Sequence, residues 1–361
     1  MLFKKILECV EISKRIAISS NEFFLLILSR IFVSRIFYGF GLQDFVLFDF
    51  NRLKISDYKT YMKKMELQKI QIKVNSSKYI HLADDKISFY DRCVKFNLPT
   101  PEVLGIICDG SNKSIVNIPI IYDTDTLFNR IDRNKNGSYI IKPSDGSHGE
   151  GLMKFDIVDR NICDENGNPL NLKTVIDKLL KLKKSFILQK CLKPHFKLKK
   201  IMPNDGLGTF RIITINTGNE VKVVMAFIKI PVGDNVSDNF NAGKSKNLVA
   251  SVDLVTHKLL NPVGPNPQNL GLIKEVLRHP DNDEILPGFE ISQWDELIET
   301  VIAGAKAFDE LYTIGWDVAL SEDGPTLIEA NWRYDCDLPQ VALRRGMKKE
   351  FTDLLTLPAI N

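Results

Sequence analysis

The 361-residue chain carries 48 Lys and Arg against 45 Asp and Glu, with 44% hydrophobic and 26% charged residues. A net charge of +3 gives no bulk reason for a nucleic-acid partner, and the Lys-rich stretches at 181–184 and 197–200 read as solvated faces. Six scattered cysteines without a CxxC pair fit reduced thiols in the cytoplasm better than a disulfide framework or a zinc site, and the length allows two or three subdomains.

In chain order, residues 1 to about 75 read as mostly helical. The apolar run Phe23 to Leu28 is far shorter than the roughly 20 residues of a membrane-spanning helix. It reads as a core helix covering the main body. A second reading lays it on a membrane surface, with Lys4, Lys5, Lys14, Arg15, Arg30 and Arg35 near acidic headgroups. The aromatic residues Phe37, Tyr38, Phe40, Phe45, Phe48 and Phe50 are expected to pack internally. Asp84 to Asn97 has helical spacing and an acidic start, and Pro99 and Pro101 stop it. VLGIIC from Val103, SYIIK from Ser138 and FILQK from Phe186 read as strands, with a helix near Thr124 to Arg130 between the first two. FRIITIN and EVKVVMAFIKI form a hairpin joined at Thr217 to Asn219, and VASVDL with HKLL suggests another short pair. Trp294 to Tyr312 is an amphipathic helix with Leu297, Val301, Ala305, Phe308 and Leu311 on one side. Antiparallel strands with segregated helices make the fold class α+β.

Three segments carry chemistry. Thr313 to Asn331 alternates apolar residues on both sides of a tight turn, Ile314, Trp316, Val318 and Leu320, then Thr326, Ile328 and Ala330, so it predicts a hairpin with one buried face. Folded about Asp323, it sets Val318 against Ile328, Trp316 against Ala330 and Asp317 against Glu329, with Asn331 two residues further on that face. Like charges held opposite are destabilising unless offset, and Mg²⁺ takes such oxygen ligands; a solvated polar face is the alternative. Ile141 to Leu152, IKPSDGSHGEGL, puts a glycine-rich loop between two strands, where backbone N–H groups can cradle phosphate beside Lys142; a purely structural hairpin loop reads equally well. Arg211 interrupts the apolar strand FRIIT, so it needs a partner if its face is buried. SDNFNAGK, from Ser237, is a polar loop.

These motifs in this order resemble the ATP-grasp proteins, specifically the sugar-transfer-associated branch linked to surface-polysaccharide synthesis. The resemblance runs from about Gly41 to Met347 through DDK at Asp84, NLPTP at Asn97, IIKPSDGSHGEG, ILQKCLKPH, GTFRIIT, DNFNAGK, HPDN at His279, IGWDVAL and LIEAN. It implies two sheet-containing lobes that clamp ATP within a catalytic domain over 81–361, the smaller lobe lying at about 120–190, preceded by a helical region over 1–80. It matches Lys86 and Lys142 to phosphate-contacting lysines, and Ser144, Gly146, Ser147, Gly149 and Gly151 to the phosphate-covering loop. It matches Gln189, Lys190, Cys191 and Leu192 to a hinge whose backbone meets adenine, and Asp317, Glu329 and Asn331 to the ligands of Mg²⁺, two ions being expected. Arg211 matches an arginine that touches the transferred phosphoryl group or a substrate carboxylate. Asn239 and Asn241 fall near the reacting centre, Lys229 stands where the family has an arginine, and His195 is expected to make a structural hydrogen bond. Gly243 is followed by Lys244 where the family has a second glycine, and Trp332 to Asp335 replace a Pro-Gly turn, both near the expected acceptor.

The activity so implied is an ATP-dependent carboxylate–amine ligase. It would form an amide through an acylphosphate and join an amino acid or amine to a sugar acid in polysaccharide synthesis. A kinase acting on a hydroxyl and a non-catalytic nucleotide-binding scaffold are the alternatives. The expected partners are a small or glycan-linked carboxylate and an amine, with no nucleic acid. The expected location is the cytoplasm, with peripheral association at the inner membrane face or with a glycosyltransferase left open, as is the oligomeric state.

Overall fold

The computed structural model describes residues 2–108, 118–146, 151–204, 206–235, 238–266 and 273–355. The chain opens with a helical hairpin, α1 (Leu2–Ser20) and α2 (Phe24–Val33), extended by a π-helical turn at Ser34–Tyr38. α3 (Leu42–Leu47), two 3₁₀ turns and α4 (Lys64–Val74) follow. Phe40, Phe45, Phe48, Phe50, Tyr58 and Tyr61 are buried together, with Phe50 stacked on Tyr58 at 4.3 Å. Each such ring contributes about 1.5–3 kcal/mol by leaving water. The internal packing read for these aromatics holds except at Phe37, which is 76% exposed because its turn directs it away from the cluster. Ile16, Ala17, Ile27 and Ile31 join the same apolar core, which continues onto the larger sheet.

α5 (His81–Asp84) leads into α6 (Lys86–Lys95), whose N-terminus is capped by Asp85 Oδ1 accepting from the Ser88 amide at 2.7 Å, an interaction worth about 1 kcal/mol. Next comes the smaller sheet, built from β1 (Val103–Ile107), β2 (Ile120–Ile121), then, after α7 (Thr124–Phe128), β3 (Gly137–Pro143), β4 (Met153–Val158) and β5 (Asn161–Asp164). α8 (Leu172–Lys181) and β6 (Phe186–Lys190) complete it, in the spatial order β2-β1-β6-β3-β4-β5. Tyr139, Ile141, Phe155, Ile157, Phe186 and Leu188 point to one face and form a core with Leu172, Ile176 and Leu179 of α8. Alternation therefore sends Ile140, Lys142, Lys154, Asp156, Gln189 and Cys191 to the other face.

The larger sheet holds β7 (Phe210–Asn216), β8 (Val221–Ile230), β9 (Leu248–Ser251), β10 (Val263–Pro265), β11 (Ile273–Glu275) and, after α9 (Trp294–Ala307), β12 (Thr313–Ser321) and β13 (Gly324–Asn331). Its order is β11-β10-β9-β8-β7-β12-β13. α9 stops at Ala307 rather than Tyr312, yet Leu297, Val301, Ala305, Phe308 and Leu311 all enter the core beneath the sheet. HKLL contributes only isolated bridges, Leu259 to Val252 and Lys258 to Glu290, and β9 pairs instead with β8 and β10. The other sheet face is covered by the N-terminal helices together with α10 (Asp337–Ala342) and α11 (Lys348–Leu355). β12 is thus buried on both faces, unlike the one-sided hairpin expected from its alternation.

Two segments cross between the sheets, and both are fastened to the β12–β13 hairpin. Leu327 N donates to Pro99 O at 2.8 Å, and Thr100 Oγ1 donates to Leu327 O at 3.0 Å. On the other crossing, Glu322 N donates to Lys193 O, Pro194 bridges Ser321, and His195 N donates to Leu320 O at 2.9 Å.

Candidate functional site

Antiparallel register builds the centre of the site. Trp316 sits opposite Ala330 and Asp317 opposite Glu329, as the sequence demands. A bulge then shifts the pairing, so Val318 meets Leu327 rather than Ile328, and Leu327 takes the core place expected for Ile328. Bulges re-aim side chains, and this one adjoins the paired carboxylates. Across the next ladder Arg211 sits opposite Asp317, so Arg211, Asp317 and Glu329 form one row over three strands. Arg211 Nε and Nη2 donate to the two Asp317 oxygens at 2.6 and 3.0 Å. Lys229 Nζ reaches Asp317 Oδ2 at 3.3 Å and Asp238 Oδ2 at 3.3 Å. Thr209 holds Asp238 through its amide at 2.9 Å and its hydroxyl at 2.5 Å. Burial alone would push the Asp317 carboxyl up, but Arg211 and Lys229 together hold it down to about 2. Burial works against the Arg211 charge, which Asp317 more than restores, raising it above the usual guanidinium value.

The smaller sheet brings a second set of charges to the same place. Burial lowers the Lys142 ammonium to about 8, opposed by the charge of Glu329 and aided by that of Lys86. Lys142 and Glu329 are near enough for their charges to interact, but they make no ion pair. Lys86 Nζ donates to Gly146 O at 2.9 Å, and its amide donates to Ser144 O. Burial pushes the Cys191 thiol up to about 11, with Lys154 lowering it, Asp156 raising it and Lys142 lowering it, so these groups share one surface.

A family model described as sugar-transfer associated ATP-grasp matches residues 67–354. The chain belongs to this ATP-grasp family. No curated protein matches it in sequence. Solved structures are similar only faintly. An ADP complex of N5-carboxyaminoimidazole ribonucleotide synthetase shows 12% identity over 76% of this chain and 52% of its own, with a TM-score of 0.39. D-alanine–D-alanine ligase from Bacillus anthracis shows 11% identity over 78% and 68%, with a TM-score of 0.42. N5-carboxyaminoimidazole synthase from Aspergillus clavatus shows 11% over 82% and 59%, also at 0.42. This chain thus spans about half to two thirds of the length of those proteins, and likenesses so faint carry no argument beyond the family match.

Within this ATP-grasp chain the residues matched to the family fall as follows. Ser144 is buried, and its amide donates to Ser185 O. Gly146 and Gly151 both adopt positive φ, 123° and 75°, which only glycine takes without strain. Ser147 and Gly149 lie outside the described residues. The Gln189 side chain is buried and donates to Pro101 O at 3.0 Å, Lys190 pairs with Tyr139, and Cys191 N donates to Ser138 O, with Leu192 next along the crossing. Asn239 and Asn241 occupy the loop beyond Asp238, where Asn239 Oδ1 accepts from the Asn241 amide. His195 is buried and its Nδ1 accepts from the Lys197 amide at 3.3 Å, opening a short 3₁₀ turn. Trp332 to Asp335, where the ATP-grasp family has its turn, anchor the N-terminal region. Trp332 Nε1 donates to Asp84 Oδ1, Gln71 Nε2 to Tyr334 O, and Asp335 pairs with Lys64.

Asp238, Lys154 and Asp156 join the site without having been singled out in the sequence. For the last two the signal was there, since they alternate with the core residues Phe155 and Ile157.

Among the described residues no group of three or more His, Cys, Asp and Glu is placed to hold a metal ion. The donors still suit a hard cation. Glu329 makes no ion pair with any described residue, so its carboxylate can take such a cation. The buried atom of Asn331 without a hydrogen-bond partner is Nδ2, a donor, which calls for an acceptor oxygen such as that of a phosphate rather than for a metal. Asp317, by contrast, is committed to Arg211 and Lys229.

Proposed function

We propose that the chain is an ATP-dependent ligase that couples a carboxylate to an amine, with a sugar acid as the carboxylate in surface-polysaccharide synthesis. The observation that carries this reading is the row Arg211–Asp317–Glu329 across three strands of the larger sheet, with Lys142 of the smaller sheet within charge range of Glu329 and Lys86 tied to the loop after it at Gly146. Cations on both walls with an uncommitted carboxylate between them suit a magnesium-bound triphosphate. Glu329 and Asn331 would hold Mg²⁺, with Asp317 beside them. When bound, that ion would offset negative charge on the phosphates.

Lys142 from the smaller sheet and Lys86 from the start of α6 would bind the phosphates. Lys154, Asp156 and the Cys191 crossing would line the nucleotide's other end. Arg211, its planar guanidinium oriented by two hydrogen bonds to Asp317, would present its remaining N–H donors to the reacting carboxylate or to the transferred phosphoryl group. Lys229, fixed between Asp317 and Asp238, sets the charge of the acceptor side. An acylphosphate formed there needs only positioning and charge stabilisation before an amine attacks it.

The test is a phosphate-release screen crossing amino acids and amines against sugar acids and nucleotide-linked sugar acids. The reading expects ADP and phosphate only when acid, amine and ATP are all present. A stable phosphorylated product formed without an amine would replace the ligase with a kinase.

A further inference from the structure

The N-terminal hairpin has a second apolar face that the main body leaves uncovered. On α2, Ile27 and Ile31 turn inward and are 0% and 5% exposed. Leu25 and Phe32, seven residues apart, share one line along the opposite side, and Ile36 extends the exposed apolar surface from the π-helical turn that follows; they are 71%, 50% and 69% exposed. Ser29 falls on that line, but its hydroxyl donates to Leu26 O at 2.7 Å and so needs no water there. Phe23 and Phe37 stand exposed at the two ends. A contiguous exposed apolar line on a helix whose other side is already buried marks a surface for a partner or a membrane.

Charge identifies the cover. The first 38 residues hold six Lys and Arg against three Glu, and the remaining 323 hold 42 basic and 42 acidic residues, so the chain's whole net charge of +3 lies in this hairpin. Glu22 faces Arg30 at 3.3 Å and Glu11 is paired with Arg15, whereas Lys14 and Arg35 are exposed. No helix among the described residues is long and apolar enough to cross a membrane. A second copy of the chain would bring the same positive excess against this one.

We infer that the outer face of α2 docks on an anionic lipid bilayer, with Leu25, Phe32 and Ile36 entering the headgroup boundary and Lys14 and Arg35 facing acidic headgroups. The inference stands apart from the ligase reading and needs no catalytic residue.

The test is flotation of the full chain with phosphatidylcholine vesicles, with and without phosphatidylglycerol. The expected result is capture by the mixed vesicles only, weakening as salt rises. Leu25→Gln/Phe32→Gln/Ile36→Gln is expected to lose binding by more than about tenfold while its circular dichroism and thermal midpoint stay unchanged, since these side chains touch solvent in the free protein. Arg35→Gln is expected to weaken binding about fivefold. Three results overturn the inference: no capture of the native chain, equal capture by both vesicles, or capture undiminished in the triple variant. A dimer in light scattering that the triple variant dissolves, without vesicle binding, assigns the face to a second copy.

Discussion

Asp317→Asn separates the structural role of this carboxylate from its expected metal role. Asparagine keeps the shape and one acceptor for Arg211 but removes the charge that both Arg211 and Lys229 face. Lys229 retains Asp238 at 3.3 Å, so the uncompensated charge is that of Arg211. Holding the Asp317 carboxyl down from 3.8 to about 2 corresponds to about 2 kcal/mol of stability. Breaking a buried pair by removing one partner costs about 3–5 kcal/mol, and the surviving amide hydrogen bond places this variant at about 2–3 kcal/mol. That is a large part of a total stability of about 5–15 kcal/mol. Urea unfolding at pH 7 measures it. Because the folded value is depressed, the contribution is complete above the unfolded value near 3.8 and is lost as pH falls through about 2. The gap between native and variant proteins should therefore hold from pH 7 to about 4 and close below that. A difference under about 0.5 kcal/mol at pH 7, the scale of an exposed pair, would refute the reasoning, as would a gap that fails to close in acid.

Glu329→Gln gives the complementary result: with no ion pair to lose, it should leave the urea midpoint unchanged while lowering ATP-dependent phosphate release by about 10²- to 10³-fold, and retained turnover would remove Glu329 from the site. ATP affinity should fall as pH rises through about 8, because Lys142 then gives up its proton, and calorimetry of Lys142→Met should show weaker binding without that slope. A variant with the native slope would place the titration elsewhere. Asn75→Ala should cost about 2–4 kcal/mol in urea unfolding, since Asn75 accepts from Thr313 N and donates to Thr313 O and Trp332 O inside the molecule; a near-neutral outcome would mean that the N-terminal region does not depend on this clamp.

The pairing of Asp317 with Glu329 was legible because period-two alternation over nine and eight residues permits only one register. The bulge at Ile328 was not, since an inserted residue leaves the composition of a strand unchanged. Arg211 announced a need for a partner, but only the β7–β12 ladder, which joins residues about a hundred positions apart, reveals that Asp317 supplies it. Asp238 hid in a loop whose Asn and Gly residues read as turn chemistry. α8 was overlooked although Leu172, Ile176 and Leu179 follow helical spacing, and it runs directly into the Lys-rich stretch at 181–184 that reads as a solvated face. The two-faced character of α2 was present in the sequence, yet which face the body covers is set by tertiary packing alone.

Both polypeptide crossings between the sheets end on the same hairpin, which leaves little free backbone at either. On one side only Pro101 and Glu102 lie between the residues bonded to Leu327 and the start of β1; on the other, Leu192 separates Cys191, tied to Ser138, from Lys193, tied to Glu322. Two short joints fixed to one rigid strand pair define an axle. Rotation about that axle would carry Lys142 toward or away from the Asp317–Glu329 row, and the ties from Lys86 to Ser144 and Gly146 would have to open for it to move far.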